Sequence, residues 1–192
     1  MEHTHPAPRW WLLLARSAIY VLIGILMFVF AASYTAQSGY IIGILAILAG
    51  VGQLVFSFAN RGTESNNLWG ILHGLTDLAF GIAIFAFSQG TIKGFVDVLG
   101  FWAMMYAFLQ SVQAMYAFLA ARGGTGVNLS SVFVHFANVV TSGALTFMLL
   151  LRPAGFDETL SYVGVFPIVL GVLIFILTNQ MRAQASRTYH HQ

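Results

Sequence analysis

Six long and predominantly apolar stretches constrain this chain more than any other feature. They lie at about 10–34, 38–60, 66–88, 92–120, 128–151 and 158–181. A helix needs roughly 20 apolar residues to cross the hydrocarbon of a bilayer. Each stretch meets that length, and none alternates as a strand would. The breaks between them, "TAQSG", "NRGTESNN", "SQGTIKG", "ARGGTGVN" and "RPAGFDE", carry the Gly, Asn, Ser and Pro of turns. Only 7% of the residues are charged and 58% are hydrophobic, whereas a soluble domain carries about 25% charged residues. The fold class expected is therefore an all-α integral membrane protein with six transmembrane helices. No linker separates domains, so residues 1–192 read as one membrane domain.

The first span exceeds the usual signal-peptide core of about 7–15 residues, so it is kept as a member of the bundle. Arg9, Arg16, Arg61, Arg122, Arg182 and Arg187 fall on one side of the spans, and Lys93 and Arg152 on the other. The side richer in Lys and Arg is the cytoplasmic one, which places both termini in the cytoplasm. Trp10, Trp11 and Trp69 suit that interface. Span four is long enough to require tilt or projection. Pro167 removes the donor for the carbonyl of Val163, so a kink is expected there.

The spans contain a repeat. The odd ones align on Gly24, Gly81 and Gly143, with Arg16, His73 and His135 eight residues earlier and Tyr20, Asp77 and Val139 four residues earlier. The even ones align on Gly43, Gly100 and Gly164, followed by Gly50, Ala107 and Gly171, then Gln53, Gln110 and Ile174. Three tandem helical hairpins, approximately 9–60, 66–120 and 128–181, follow from this alignment. Repeats inserted in the same direction relate by an axis along the membrane normal, so pseudo-threefold symmetry is expected. The glycines read as packing positions, because small side chains let helices in lipid approach closely. Gly39 and Gly43 form one such pair, and Ala46 and Gly50 another. Assembly into a homo-oligomer through such faces is compatible with the sequence.

The alignment brings the rare polar residues to one depth. Arg16, His73 and His135 lie a little inside the cytoplasmic ends of the odd spans, with Asp77 one turn deeper. Gln53, Gln110, Gln113, Asn138 and Thr141 fall in the same half. A charge at the bilayer centre costs at least about 2.5 kcal/mol, so this layer should face protein or water. Each member has a bland reading beside the functional one. Arg16 is expected to snorkel to the interface. His73 would bond Asp77 at i,i+4 or a carbonyl. Asp77 would be a neutral buried acid, an ion-pair partner of Arg16, or a functional group. His135 reads as a satisfied core histidine, and the glutamines and Asn138 as cross-links between helices. The sharper reading makes Arg16, His73, Asp77, His135, Asn138, Gln53 and Gln110 a proton or solute site. Histidine ordinarily titrates near about pH 6.5, which suits a response to acidification.

Other chemistry is poorly represented. There is no cysteine. No GxSxG elbow or P-loop occurs, and "RGGTG" at 122–126 lacks the Lys-Ser/Thr a phosphate loop needs. His73, Asp77 and His135 are ligand types for a metal, but no HExxH or second such pair accompanies them. No enzyme activity, cofactor or metal is expected, with a membrane-embedded metalloenzyme as the remote alternative. The net charge of +2 has no basic cluster, so the expected partner is the lipid bilayer and not nucleic acid. Asp157 and Glu158 open span six, where the helix dipole favours anions. Lys93 and Asp97 form an i,i+4 pair, and His3, His5, His190 and His191 lie in polar tails.

"WWLLLARSAIYVLIGILMFVF", "GYIIGILAILAGVGQL" and "ILHGLTDLAFGIAIF", set in three tandem two-span repeats, resemble the HdeD-like acid-resistance membrane proteins over roughly residues 9–181. Members of that family usually carry a proline after the odd spans; here only "LRPAG" at 151–155 does, while "FAASYTAQS" and "FSQG" do not. The resemblance implies a bacterial or archaeal inner (plasma) membrane protein linked to acid stress, and carries no catalytic residues with it. A structural or assembly subunit without transport activity is the other functional class in view.

Overall fold

A computed structural model describes residues 9–60, 67–87, 90–122, 129–152 and 155–189. The tail histidines His3, His5, His190 and His191, and Arg61, lie outside these residues, as do the turn segments 61–66, 88–89, 123–128 and 153–154. The described chain forms seven helices: α1 Trp11–Phe30, α2 Ala36–Ala59, α3 Asn67–Phe87, α4 Ile92–Arg122, α5 Leu129–Leu151, α6 Phe156–Val163 and α7 Val165–Tyr189. No strand occurs among the described residues. Each expected span limit is met within four residues, except that α7 runs on to Tyr189. Six helices are long and apolar enough to cross a membrane, with α6 and α7 together supplying the sixth. The chain is thus a multi-pass helical membrane protein.

Local chemistry explains several boundaries. Thr35 caps α2: its Oγ1 accepts from the Ser38 amide at 3.3 Å, and Ser38 Oγ accepts from the Thr35 amide at 3.4 Å. This reciprocal box satisfies donors that the first helical turn leaves unpaired. The Thr91 hydroxyl accepts from the Gly94 amide at 3.1 Å in the first turn of α4. At 31 residues, α4 is about 46 Å long at 1.5 Å per residue. The last span breaks at Gly164, three residues before Pro167, instead of kinking smoothly at the proline. Pro167 thereby falls in the first turn of α7, where a missing N–H is tolerated. α6 begins at Phe156, which puts Asp157 and Glu158 in its first turn.

The helices pack as a closed ring in which each touches the next and α7 returns to α1. The closest seams are α2–α3, α4–α5 and α1–α7, all between successive hairpins. Glycine makes two of them close. A Cβ on Gly50 would meet Leu78 N at 2.6 Å and Gly74 O at 2.7 Å, and one on Gly81 would meet Gly43 O at 2.7 Å. Across the α1–α7 seam, a Cβ on Gly164 would meet Gly24 O at 2.7 Å, and one on Gly171 would meet Ser17 O at 2.8 Å. Ser17 Oγ also donates to the Gly171 carbonyl at 2.8 Å. The third seam departs from this scheme. A Cβ on Gly100 would touch only Leu149 Cβ at 3.6 Å, and one on Gly143 nothing within 4 Å. The aligned glycines of α4 and α5 therefore do not meet.

Large apolar side chains cover the outside, among them Phe101, Phe108, Phe133, Phe136 and Phe147. Between α3 and α4 an open apolar groove of about 640 Å³ is walled by Leu75, Ala79, Phe80, Phe101, Trp102 and Met105. At the end of the bundle away from the chain termini, Arg152 closes α5 with a left-handed backbone (φ 45°). Its guanidinium donates to Asp97 of α4, and Lys93 lies 3.9 Å from the other Asp97 oxygen. The Lys93–Asp97 pair was legible from spacing; the Arg152 bond was not.

Candidate functional site: a polar pocket closed by a buried ion pair

Asp77 and Arg16 meet across the ring. α1 and α3 are not neighbours in it, so the pair spans the interior. Asp77 is 1% exposed and Arg16 5%. Arg16 Nη2 and Nε donate to Asp77 Oδ2 at 2.8 and 3.1 Å. The other oxygen, Oδ1, accepts from the Tyr20 hydroxyl at 2.6 Å and from Trp102 Nε1 at 3.3 Å. Four donors around one carboxylate compensate its removal from water, which an unpaired buried charge would lack. Arg16 Nη1 further donates to Gln53 Oε1 at 3.1 Å, and Nη2 reaches the Tyr20 hydroxyl at 3.4 Å. Gln53 Nε2 then donates to Ser57 Oγ at 3.3 Å.

Arg16 therefore does not snorkel. Its aliphatic stem is long enough to reach the interface, but a carboxylate at hydrogen-bonding distance inside the ring outweighs that path. The His73–Asp77 bond open to residues four apart is absent too. Asp77 points at Arg16, while His73 turns to α4: its Nε2 lies 3.2 Å from Gln113 Oε1 and 3.3 Å from Gln110 Nε2. A neutral imidazole nitrogen either donates or accepts, so Nε2 serves one of these two glutamines at a time. Its ring packs on Tyr106 with centroids 4.9 Å apart.

Below the ion pair lies a cavity of about 210 Å³ at the end that carries the chain termini. Arg16, His73 and His135 line it from α1, α3 and α5, and Gln53, Gln110 and Ile174 from α2, α4 and α7. These six make up two of the sets that the repeat aligns, one from the odd spans and one from the even spans. Asn138, Gln113 and Thr178 add to the wall, with Leu13, Phe56 and Leu177 as apolar surface. Trp10 packs on Phe56 and Trp69 on Tyr116 near this end. Four buried polar atoms among these residues have no protein partner: His73 Nδ1, Gln110 Oε1, His135 Nδ1 and Asn138 Oδ1. Buried polar groups are nearly always satisfied, so four unsatisfied atoms on residues that line one cavity point to a place for water or a solute.

His135 and Asn138 accordingly differ from the expectation of a satisfied core histidine and an interhelical cross-link. The hydroxyls of Thr141, Ser142 and Thr146 instead bond back to their own helix, as Ser142 Oγ does to the Asn138 carbonyl at 2.6 Å. Thr141 is half-buried and bonds Ala137 O at 2.8 Å, away from the layer. Among the described residues no three His, Cys, Asp or Glu side chains gather to hold a metal, and both Asp77 oxygens are already taken by donors.

Tyr20 and Trp102 complete the carboxylate's shell and were not among the residues expected in the polar layer. Both left a signal. Tyr20 holds in α1 the place that Asp77 holds in α3, and the two meet. Trp102 is the one tryptophan placed mid-span, where an indole N–H needs a buried acceptor.

Residues 15–86, a little over a third of the chain, match a family described as a short repeat of unknown function (DUF308). The matched segment runs from the first turns of α1 to the end of α3, and so contains both partners of the ion pair. No curated protein and no solved structure matches the chain.

Proposed function

We propose that this chain is an inner-membrane protein of three tandem hairpins about a pseudo-threefold axis, with both termini cytoplasmic, and that its pocket binds protons or a small solute entering from the cytoplasm. One observation carries the reading. Two of the repeat-aligned sets, Arg16, His73 and His135 with Gln53, Gln110 and Ile174, converge on a single cavity whose wall residues carry polar atoms that are only partly satisfied. His73 supports the proton part, since protonation would turn both ring nitrogens into donors, so that Nε2 keeps Gln113 Oε1 and Gln110 must turn its amide nitrogen away. A link to acid stress rests on the resemblance to HdeD-like proteins and on the DUF308 match. No enzymatic role is proposed, and the bilayer is the partner proposed, with homo-oligomerisation left to measurement of mass in detergent.

The test is proton flux, or a proton-linked fluorescence change, in proteoliposomes of wild type and of His73→Gln with His135→Gln. Loss of the signal in a folded double variant is the expected result. An unchanged signal removes the pocket from any proton-linked role. The second reading, a structural subunit, draws on the complete satisfaction of Asp77. It expects the same variants to alter thermal stability and nothing else.

A further inference from the structure

Taking the pocket as a solute site, we infer that its ligand is a small neutral amide, of the primary-amide or urea class. Charge gives the first argument. The charged and titratable groups lining or closing the pocket are Arg16 and Tyr20 of α1, His73 and Asp77 of α3, Tyr106 of α4 and His135 of α5. Gln53 and Ser57 of α2 and Thr178 of α7 are neutral. With both histidines neutral, Arg16 and Asp77 cancel. An ionic ligand would then leave the site with a net charge, which burial disfavours.

The unpartnered atoms give the second. Gln110 Oε1 and Asn138 Oδ1 accept hydrogen bonds, and His73 Nδ1 and His135 Nδ1 donate or accept by tautomer. Arg16 uses Nε once, Nη1 once and Nη2 twice, so one of its five N–H groups, on Nη1, has no protein partner. The pocket thus offers acceptors for at least two N–H groups and one cationic donor for an oxygen. A carbonyl flanked by –NH₂ supplies that set on one rigid plane. An alcohol or a hydrocarbon does not.

Size and wall chemistry agree. The 210 Å³ cavity lies below the roughly 300–1,000 Å³ of pockets for drug-sized ligands, which suits a smaller molecule. Tyr106, Phe56, Leu13 and Ile174 offer apolar and aromatic faces to a flat ligand.

The experiment uses three nearly isosteric probes: acetamide, acetate and acetamidinium. Each is added at neutral pH to the full-length protein in detergent, and saturation-transfer difference NMR reads binding. Acetamide is expected to bind, with the two ions at least tenfold weaker. Asn138→Leu removes an acceptor, and Ile174→Phe fills the cavity without touching a polar group. Either variant, once folded, should weaken acetamide at least tenfold. Preferential binding of either ion, no acetamide signal, or acetamide binding indifferent to Ile174→Phe would each overturn the assignment. The proton-linked signal is read separately in proteoliposomes, so its survival without acetamide binding defeats this inference alone.

Discussion

Replacing Asp77 with asparagine removes one charge and almost no volume, so it isolates what the ion pair does. In the native protein Asp77 Oδ2 takes two N–H groups of Arg16, and Oδ1 takes Tyr20 and Trp102. An asparagine whose oxygen stays with Tyr20 and Trp102 turns its –NH₂ toward the guanidinium, donor against donor. Arg16, 5% exposed, then keeps a buried charge with only Gln53 and Tyr20 beside it. Breaking a buried pair from one side costs about 3–5 kcal/mol. For a chain of this size that corresponds to roughly 6–20 °C in Tm, at about 2–4 °C per kcal/mol. Arg16→Gln together with Asp77→Asn restores neutrality and hydrogen-bonding capacity, so the double variant should recover much of the loss. The assay is SDS unfolding in mixed micelles, followed by tryptophan fluorescence, for the wild type, both single variants and the double. A coupling of about 2 kcal/mol or more is expected between contacting charges in such a cycle. If Asp77→Asn costs less than about 1 kcal/mol, or the single losses add within about 0.5 kcal/mol, the pair is not the clasp described.

The seams give a contrasting pair. Gly50→Val should destabilise by about 1–3 kcal/mol or more, because the new side chain meets the backbone of α3. Gly143→Ala has open space around it and should stabilise by roughly 0.5–1 kcal/mol through helix propensity; thermal unfolding in detergent checks both. Thr35→Ala breaks the reciprocal cap of α2 and should cost about 1 kcal/mol, with faster amide exchange in the first turn of that helix. Trp102→Phe leaves Asp77 Oδ1 with Tyr20 alone and should cost about 1–3 kcal/mol, while Tyr20→Phe combined with it should cost more than either.

The spans were legible because lipid imposes a strict requirement: a spanning segment must be apolar along its length and satisfy its own backbone. The layer was legible for the complementary reason. Polar residues are tolerated there only when hidden, and the repeat fixes their depth, so Arg16, Gln53, His73, Gln110 and His135 could be gathered without coordinates. Which of them pair could not be read. Arg16 has a stem that reaches either water or Asp77, and spacing along one helix says nothing about a carboxylate 61 residues away. Gly143 aligns with Gly24 and Gly81 yet makes no close contact, because alignment gives depth and not the face that a residue presents. The break at Gly164 lay in sequence as Pro167, but its place depended on contact with Gly24.

The 61-residue separation of the clasp's two partners also bears on how the protein is made. Arg16 enters the membrane with α1 well before Asp77 has been synthesised, and Gln53 and Tyr20 are the only members of its final set available to it during that interval. The opening hairpin is therefore an incomplete object, and translation of α3 is the step that makes it permanent. A chain stopped after α2 would keep its arginine without a counter-ion.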